Sequence, residues 1–431
     1  MFTIEEILAS KDILDIDAKA GDTGIPADIW QTYCALANTA GGFILLGMED
    51  RNRSGFYYPS GLRSAQKMMQ EIWRGVNDRK NVSANILFRN HIYLQEYQGK
   101  DIVVVEVPRA WSRQKPLYTG ADMFEGSYRR NQREDRKCSR EEIQHMIREQ
   151  DTHGADARLL RRWTLNDLET DTISRYRIVL KNIRPGHVYT RMGTDEFLVQ
   201  IGAAGRGEDT KLHPTVAGML FFGKAGPLAE EFPRVYLDYR ELLPEGSGWS
   251  LRISSREGDW SGNLFDFYCR VIDRLTDGIR ISYQPVSAGT SQEAARRFGN
   301  IAKARDALTR KVKECLSEAF VNALTHADYY GDGGIIIDKS PHFVSFANPG
   351  TFLADPRYVP EGGISVTRNE NVGRLFDLIM AGCRPGEGLR EIMQTWEACA
   401  MKPPQIMESF ERGRVTVILG LAEPEEEEGG A

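Results

Sequence analysis

Cysteine is scarce and scattered, with six in 431 residues at positions 34, 138, 269, 315, 383 and 399 and no close pair. That spacing excludes a disulfide framework and the paired-cysteine patterns of zinc sites, and it points to a reducing compartment. Long apolar runs are missing too. No stretch approaches the ~18 residues of a membrane-spanning helix, and Met1-Phe2-Thr3-Ile4-Glu5-Glu6 lacks the basic start and apolar run of a signal peptide. The expectation is a cytoplasmic protein without a membrane partner. The seven histidines form no His-Glu-x-x-His pattern, and there is no Walker A loop, catalytic-serine elbow or internal repeat. An overall positive charge is also lacking. With a formal net charge of −6, any nucleic-acid site must be a local patch. Part of the deficit is the acidic tail 423–431, too polar to pack and expected to be disordered.

What is present exceeds one core, so two or three domains are expected. In the run Ser317 to Tyr329, Glu318, Asn322 and His326 are spaced four apart and share one helix face, while Phe320, Val321 and Leu324 turn to a core. A carboxylate, an amide and an imidazole on one ridge suit a phosphate or metal site, and equally a polar helix face beside a turn. Near the N-terminus Asp15-Ile16-Asp17-Ala18-Lys19 alternates as a short strand with Asp15, Asp17 and Lys19 on one face. A Pro26-opened helix follows, then Ala37-Asn38-Thr39-Ala40-Gly41-Gly42 and the apolar strand Phe43 to Leu46. The segment Tyr128 to Lys137 puts Arg129, Arg130, Arg133, Arg136 and Lys137 into ten residues, with Arg109, Arg113 and Lys115 upstream. Arginines hold phosphates bidentately and aromatics stack on exposed bases; an ordinary charged loop has the same composition. The helix over Leu62 to Val76 carries Met68, Met69, Ile72 and Val76 at helical spacing, which reads as core.

Residues 1–150 resemble the Schlafen AlbA-type (AAA-4) DNA-binding domain. The likeness runs through Asp12, four residues, Asp17-Ala18-Lys19, then Ala37-Asn38-Thr39-Ala40-Gly41-Gly42, then Gly47-Met48-Glu49, closing with Lys115-Pro116, Tyr128-Arg129-Arg130 and the helix Ser139 to Glu149. Aspartates stand at 12 and 17 where the family has glutamates, and Ala18 replaces an aromatic. The resemblance implies a metal site at Asp12, Asp17 and Glu49 for Mg²⁺ or Mn²⁺, with Lys19 alongside in catalysis, and phosphate contacts from Arg129, Arg130, Arg133 and Lys115. Salt bridges from Lys19 and nearby arginines are the competing use of those acids.

Residues 311–422 resemble the C-terminal module of RecG-related ATP-binding proteins, which is GHKL-like. The residues that carry this are Glu318 to Tyr329, the strand Gly334 to Ile337, Asn348-Pro349-Gly350, Thr367-Arg368-Asn369, Gly386-Glu387-Gly388 and the strand Val415 to Leu419. The resemblance implies ATP contacts at Glu318, Asn322, His326, Asn348, Gly350, Gly386 and Gly388. Asn348 stands where GHKL ATPases carry the Asp that reads adenine, and Asn presents a mixed donor and acceptor instead.

Between them, residues 151–310 read as a mixed linking region. It has helices over Leu159 to Leu168 and Asp171 to Asn182, a buried apolar segment Pro214 to Lys224, a strand Arg234 to Tyr239 and a surface loop over 244–262. The fold class expected is therefore a multidomain α+β protein: an AlbA-like domain, a linking region, a GHKL-like α/β sandwich over 311–422 and a disordered tail. The function expected is nucleic-acid binding, as a metal-dependent endonuclease on RNA or single-stranded DNA. The alternative is a non-catalytic DNA-binding transcriptional regulator that responds to a nucleotide. By family likeness a homo-oligomer is expected.

Overall fold

The computed structural model describes residues 1–10, 15–20, 24–51, 55–131, 134–150, 155–244, 248–279, 291–353, 366–381, 387–399 and 401–421, with backbone alone for 291–305. Asp12, Arg133, Gly386 and the acidic tail lie outside the described residues. The chain divides into two compact units, Met1–Thr152 with Leu353–Asp355, and His153–Phe352 with Pro356–Ala431. Among the described residues no helix is long and apolar enough to cross a membrane.

The first unit opens with α1 (Ile4–Ala9), β1 (Asp15–Lys19), α2 (Ile29–Asn38) and β2 (Gly42–Leu46). Then come β3 (Met48–Asp50), β4 (Tyr57–Pro59), α3 (Ala65–Val76), β5 (Ile92–Tyr97) and β6 (Lys100–Val107). It closes with α4 (Met123–Gly126), β7 (Tyr128–Asn131), β8 (Glu134–Lys137) and α5 (Arg140–Gln150). The main sheet has the order β1-β2-β6-β5, with β1 parallel to β2 and the other pairs antiparallel. β2 is apolar throughout because both its faces are covered. Ile44 and Leu46 pack with α2 and α3, whereas Phe43 and Leu45 pack with Ile4 and Ile7 of α1. A strand buried on both faces loses the polar alternation of a half-exposed one.

The second unit begins with α6 (Thr170–Ile183), α7 (Thr194–Gln200), β9 (Ala204–Arg206), β10 (Leu212–Pro214), α8 (Val216–Phe222) and α9 (Ala225–Glu231). It continues through β11 (Leu237–Leu242), β12 (Trp249–Ser254), α10 (Leu264–Thr276), α11 (Ser291–Thr325), β13 (Ile335–Lys339) and β14 (Phe343–Pro349). Its last elements are α12 (Glu370–Leu378), α13 (Gly388–Ala398), β15 (Gln405–Ser409) and β16 (Arg414–Gly420). One six-stranded sheet runs β12-β11-β13-β14-β16-β15, parallel only between β11 and β13. Leu237, Tyr239, Ile335, Ile337, Val344 and Phe346 face one large core shared with α8, α10, α11 and α12. The alternate positions carry two bidentate cross-strand pairs, Arg240 with Asp338 (2.7 and 2.9 Å) and Arg252 with Asp238 (2.8 and 2.9 Å).

Several local expectations change here. Residues 249–254, read as surface loop, form β12, because Arg252 and Leu251 pair across to β11. Leu159 to Leu168 holds only a 3-10 turn, Leu165–Asp167, and Pro214 to Lys224 contains α8. The stretch 151–310 supplies β11 and β12 to the common sheet, and 310 falls inside α11. Asp156, buried, accepts from the Val372 amide (2.9 Å) and Asn371 Nδ2 (3.2 Å) at the start of α12, and Tyr176 Oη donates to the Leu375 carbonyl at 2.7 Å. These contacts knit 155–183 into the same body as α12.

Candidate nucleic-acid interface

Alternation along β1 brings Asp15, Asp17 and Lys19 to one face, and Arg130 of β7 enters among them. The Arg130 side chain is 2% exposed. Its Nη1 donates to Asp135 Oδ1 at 2.7 Å, its Nη2 to Asp17 Oδ1 and the Ile16 carbonyl at 3.3 Å each, and its Nε lies 3.9 Å from Asp15 Oδ1. The second Asp17 oxygen is 2.8 Å from Lys19 Nζ, which also donates to Asp28 at 2.7 Å. Thr32 Oγ1 donates to the other Asp135 oxygen at 2.6 Å. Burial pushes the Asp15 carboxyl up to about 6; Arg130 pulls the other way, and Asp135 and Asp17 add to the rise. Glu49 on β3 accepts from Arg51 Nε at 3.3 Å. Among the described residues no three His, Cys, Asp or Glu side chains are grouped to share an ion. Two cationic side chains, Lys19 and Arg130, already flank the Asp17 carboxylate and neutralise much of its charge.

The basic stretch forms a hairpin, β7 pairing antiparallel with β8. Directly opposed residues share a face, so Arg129 sits with Arg136, and Arg130 with Asp135 on the other side. Arg129 and Arg136 both reach Glu142 of α5, at 3.4 Å and 2.6 Å. Burial works against ionisation of Glu142, yet hydrogen bonds from Arg136 and the Ser139 amide, with the charge of Arg129, hold its carboxyl below the usual range. Lys137 pairs with Glu125, and Arg136 and Lys137 are the exposed cations among the described residues of the hairpin. Lys115 and Arg109 are buried, whereas Arg113 is exposed with its guanidinium 5.6 Å from the ring of exposed Trp111. The sequence signal that finds Trp111 is a tryptophan two residues from an arginine beside other basic residues.

The Ala-Asn-Thr-x-Gly-Gly run is what holds this hairpin. Asn38 Nδ2 donates to the Leu117 and Tyr128 carbonyls (2.7 and 2.9 Å), and its Oδ1 accepts from the Leu117 amide at 2.8 Å. Thr39 Oγ1 donates to the Ala35 carbonyl (2.7 Å) and accepts from the Arg130 amide (2.9 Å). Gly41 has φ +80°, and a Cβ there would stand 2.8 Å from the Val107 carbonyl and the Arg109 amide; at Gly42 it would run into the Asp15 carbonyl. Glycine is needed where β1 and β6 backbones approach this closely. Residues 11–139 match the Schlafen AlbA_2 family. The first unit thus carries an AlbA-type domain. Residues 144–238 match a domain of unknown function, DUF8451. No curated protein matches the chain. Among solved structures, the DIP2311 protein from Corynebacterium diphtheriae aligns with 98% of this chain and 80% of its own, at 15% identity and a TM-score of 0.44. The N-terminal domain of a RecG-related protein from Nitrosomonas europaea aligns with 32% of this chain and 94% of its own, at 27% identity and a TM-score of 0.25.

Beyond the AlbA-type domain, the polar residues of the second unit fall into two groups, Glu318 and Asn322 with Gly388, and His326 and Gly350 around Arg368 with Asn348 nearby. Asn322 Nδ2 donates to Glu318 Oε1 at 3.1 Å, as their four-residue spacing on α11 requires. Glu318 is buried, and its carboxylate packs on Gly388 at the first turn of α13, leaving no room for a Cβ. A carboxylate at a helix N-terminus is favourable. Asn348 is buried with its Nδ2 on the Pro349 carbonyl at 3.1 Å, and Arg368 lies against Gly350 while donating to the His326 and Thr351 carbonyls (3.1 and 2.8 Å). Burial, with the charge of Arg368, lowers the His326 imidazole to about 4. Asn369, beside Arg368, fastens this corner through its Nδ2 to the Thr325 and Ala327 carbonyls (2.9 and 2.8 Å).

Proposed function

We propose that this protein binds nucleic acid through its AlbA-type domain and holds the strand without cutting it. The β7-β8 hairpin and the start of α5 offer the phosphate surface, with Arg136 and Lys137 exchanging their carboxylate partners for phosphates. The observation that carries the reading is the position of Arg130. Its guanidinium stands among Asp15, Asp17 and Asp135, doing the charge neutralisation that a nuclease assigns to its metal. The match of residues 11–139 to the Schlafen AlbA_2 family supports nucleic acid as the partner.

The test uses labelled tRNA, single-stranded RNA, single-stranded DNA and duplex DNA with Mn²⁺, Mg²⁺ or EDTA. Gel shifts without products in any metal are expected. Metal-dependent products that vanish in Asp17→Ala would overturn the reading and restore a nuclease. The cluster from Glu318 to Gly388 we assign to packing within the second unit, since Glu318 and Asn348 engage protein groups. A nucleotide-responsive regulator predicts instead that ATP shifts the binding curve, which a titration of the nucleic-acid complex with ATP decides.

A further inference from the structure

A cleft of about 330 Å³ opens on the AlbA-type domain between α3 and the segment that enters β5, lined by Met69, Gln70, Trp73, Arg74, Arg89 and Ile92. The α3 sequence suggested core alone. Met68, Ile72 and Val76 do face the core, but Met69 and Trp73 are only half-buried, one turn apart, and form an apolar floor. Arg74 and Arg89 are both exposed, and no carboxylate is among the described residues that line the cleft. The Arg89 guanidinium stands over the Trp73 ring, 5.9 Å from its centroid, at the outer limit of a cation–π contact. Gln70 adds an amide that both donates and accepts. Phe88, next to Arg89, is 70% exposed.

An aromatic face, two guanidinium groups and an amide at one cleft match a flat π-system joined to an anion. We propose that this cleft stacks an unpaired nucleobase on Trp73 while Arg74 and Arg89 hold its phosphate, making single-stranded rather than duplex nucleic acid the partner. The assignment rests on the nucleic-acid reading of the same domain and adds a contact site away from the hairpin residues. A base locked in a duplex has both faces stacked and cannot reach Trp73.

The test measures fluorescence anisotropy of labelled single-stranded and duplex oligonucleotides against the full chain, with circular dichroism to verify folding. Trp73→Ala should weaken single-strand binding roughly ten-fold, the range of one lost base stack, with duplex binding unchanged. Trp73→Phe should restore most of it. Because Trp73 also touches the core, the surface variant Arg74→Ala/Arg89→Ala serves as an independent check and should weaken single-strand binding as well. Adenosine monophosphate added as competitor distinguishes the source of the base: displacement of the oligonucleotide only by another oligonucleotide assigns the cleft to a strand, and displacement by the mononucleotide assigns it to a free nucleotide. Wild-type affinity in all three variants, with binding lost on reversing Arg136 and Lys137, overturns the cleft and leaves the hairpin reading intact. No binding by the wild type overturns both.

Discussion

At the residue scale the decisive group is Arg130. It is buried against Asp17 and Asp135, so removing it strands charges that the fold has already desolvated. Arg130→Ala should cost about 3–5 kcal/mol, the range for breaking one side of a buried ion pair, read as a lowered urea midpoint. Asp15 carries the opposite lesson. Burial raises its carboxyl to about 6, above the unfolded value near 3.8, so the folded state binds more protons across that interval. Its contribution to stability is therefore present at low pH and falls as pH rises from about 4 to about 6. Asp15→Asn, which mimics the neutral acid, should stabilise the protein at pH 7 by roughly 1–2 kcal/mol after allowance for its partial exposure. The variant should also lose the pH slope, which urea titrations at pH 4, 5, 6 and 7 would check.

At the element scale the hairpin depends on α2. Asn38 makes three hydrogen bonds that fix residues 117 and 128, and nothing else in its side chain is apolar enough to account for its burial. Asn38→Ala leaves buried backbone groups unpaired, at a cost of roughly 2–3 kcal/mol. Amide hydrogen exchange should accelerate across Tyr128 to Lys137 before it does in β2. The hairpin cations act differently, through charge rather than packing. Arg136→Glu with Lys137→Glu should weaken binding to all sequences alike and flatten the salt dependence by about one unit per lost phosphate contact. Titrations at four salt concentrations measure that slope.

At the scale of the whole molecule, the sheet sets where the chain can be divided. β11 and β12 pair with β13, and Asp156 and Tyr176 fasten to α12, so the second unit is one body from 155 onward. A fragment of 311–431 lacks two of six strands and the first part of α11, and it exposes the apolar faces of Ile335 and Ile337. It should fail to fold, while 153–431 should give a cooperative transition and dispersed amide resonances. A folded 311–431 fragment would show that the linking region is separable after all.

Periodicity and local chemistry made much of this readable in advance. β1, the apolar β2, the helix of Glu318 and Asn322 and the final strand follow from alternation or four-residue spacing, which depend on neighbours in the chain alone. The Asn-Thr-x-Gly-Gly run was visible, yet its role was not, because Asn38 acts on backbone groups 79 and 90 residues away. β12 was hidden in a stretch rich in Gly and Ser whose strand character comes from pairing with β11. Sequence by itself determined which residues are charged and which faces they occupy. Only the tertiary structure decided that Arg130 turns inward to Asp17 while Arg136 stays outside, since the difference is made by which carboxylates distant segments bring within reach.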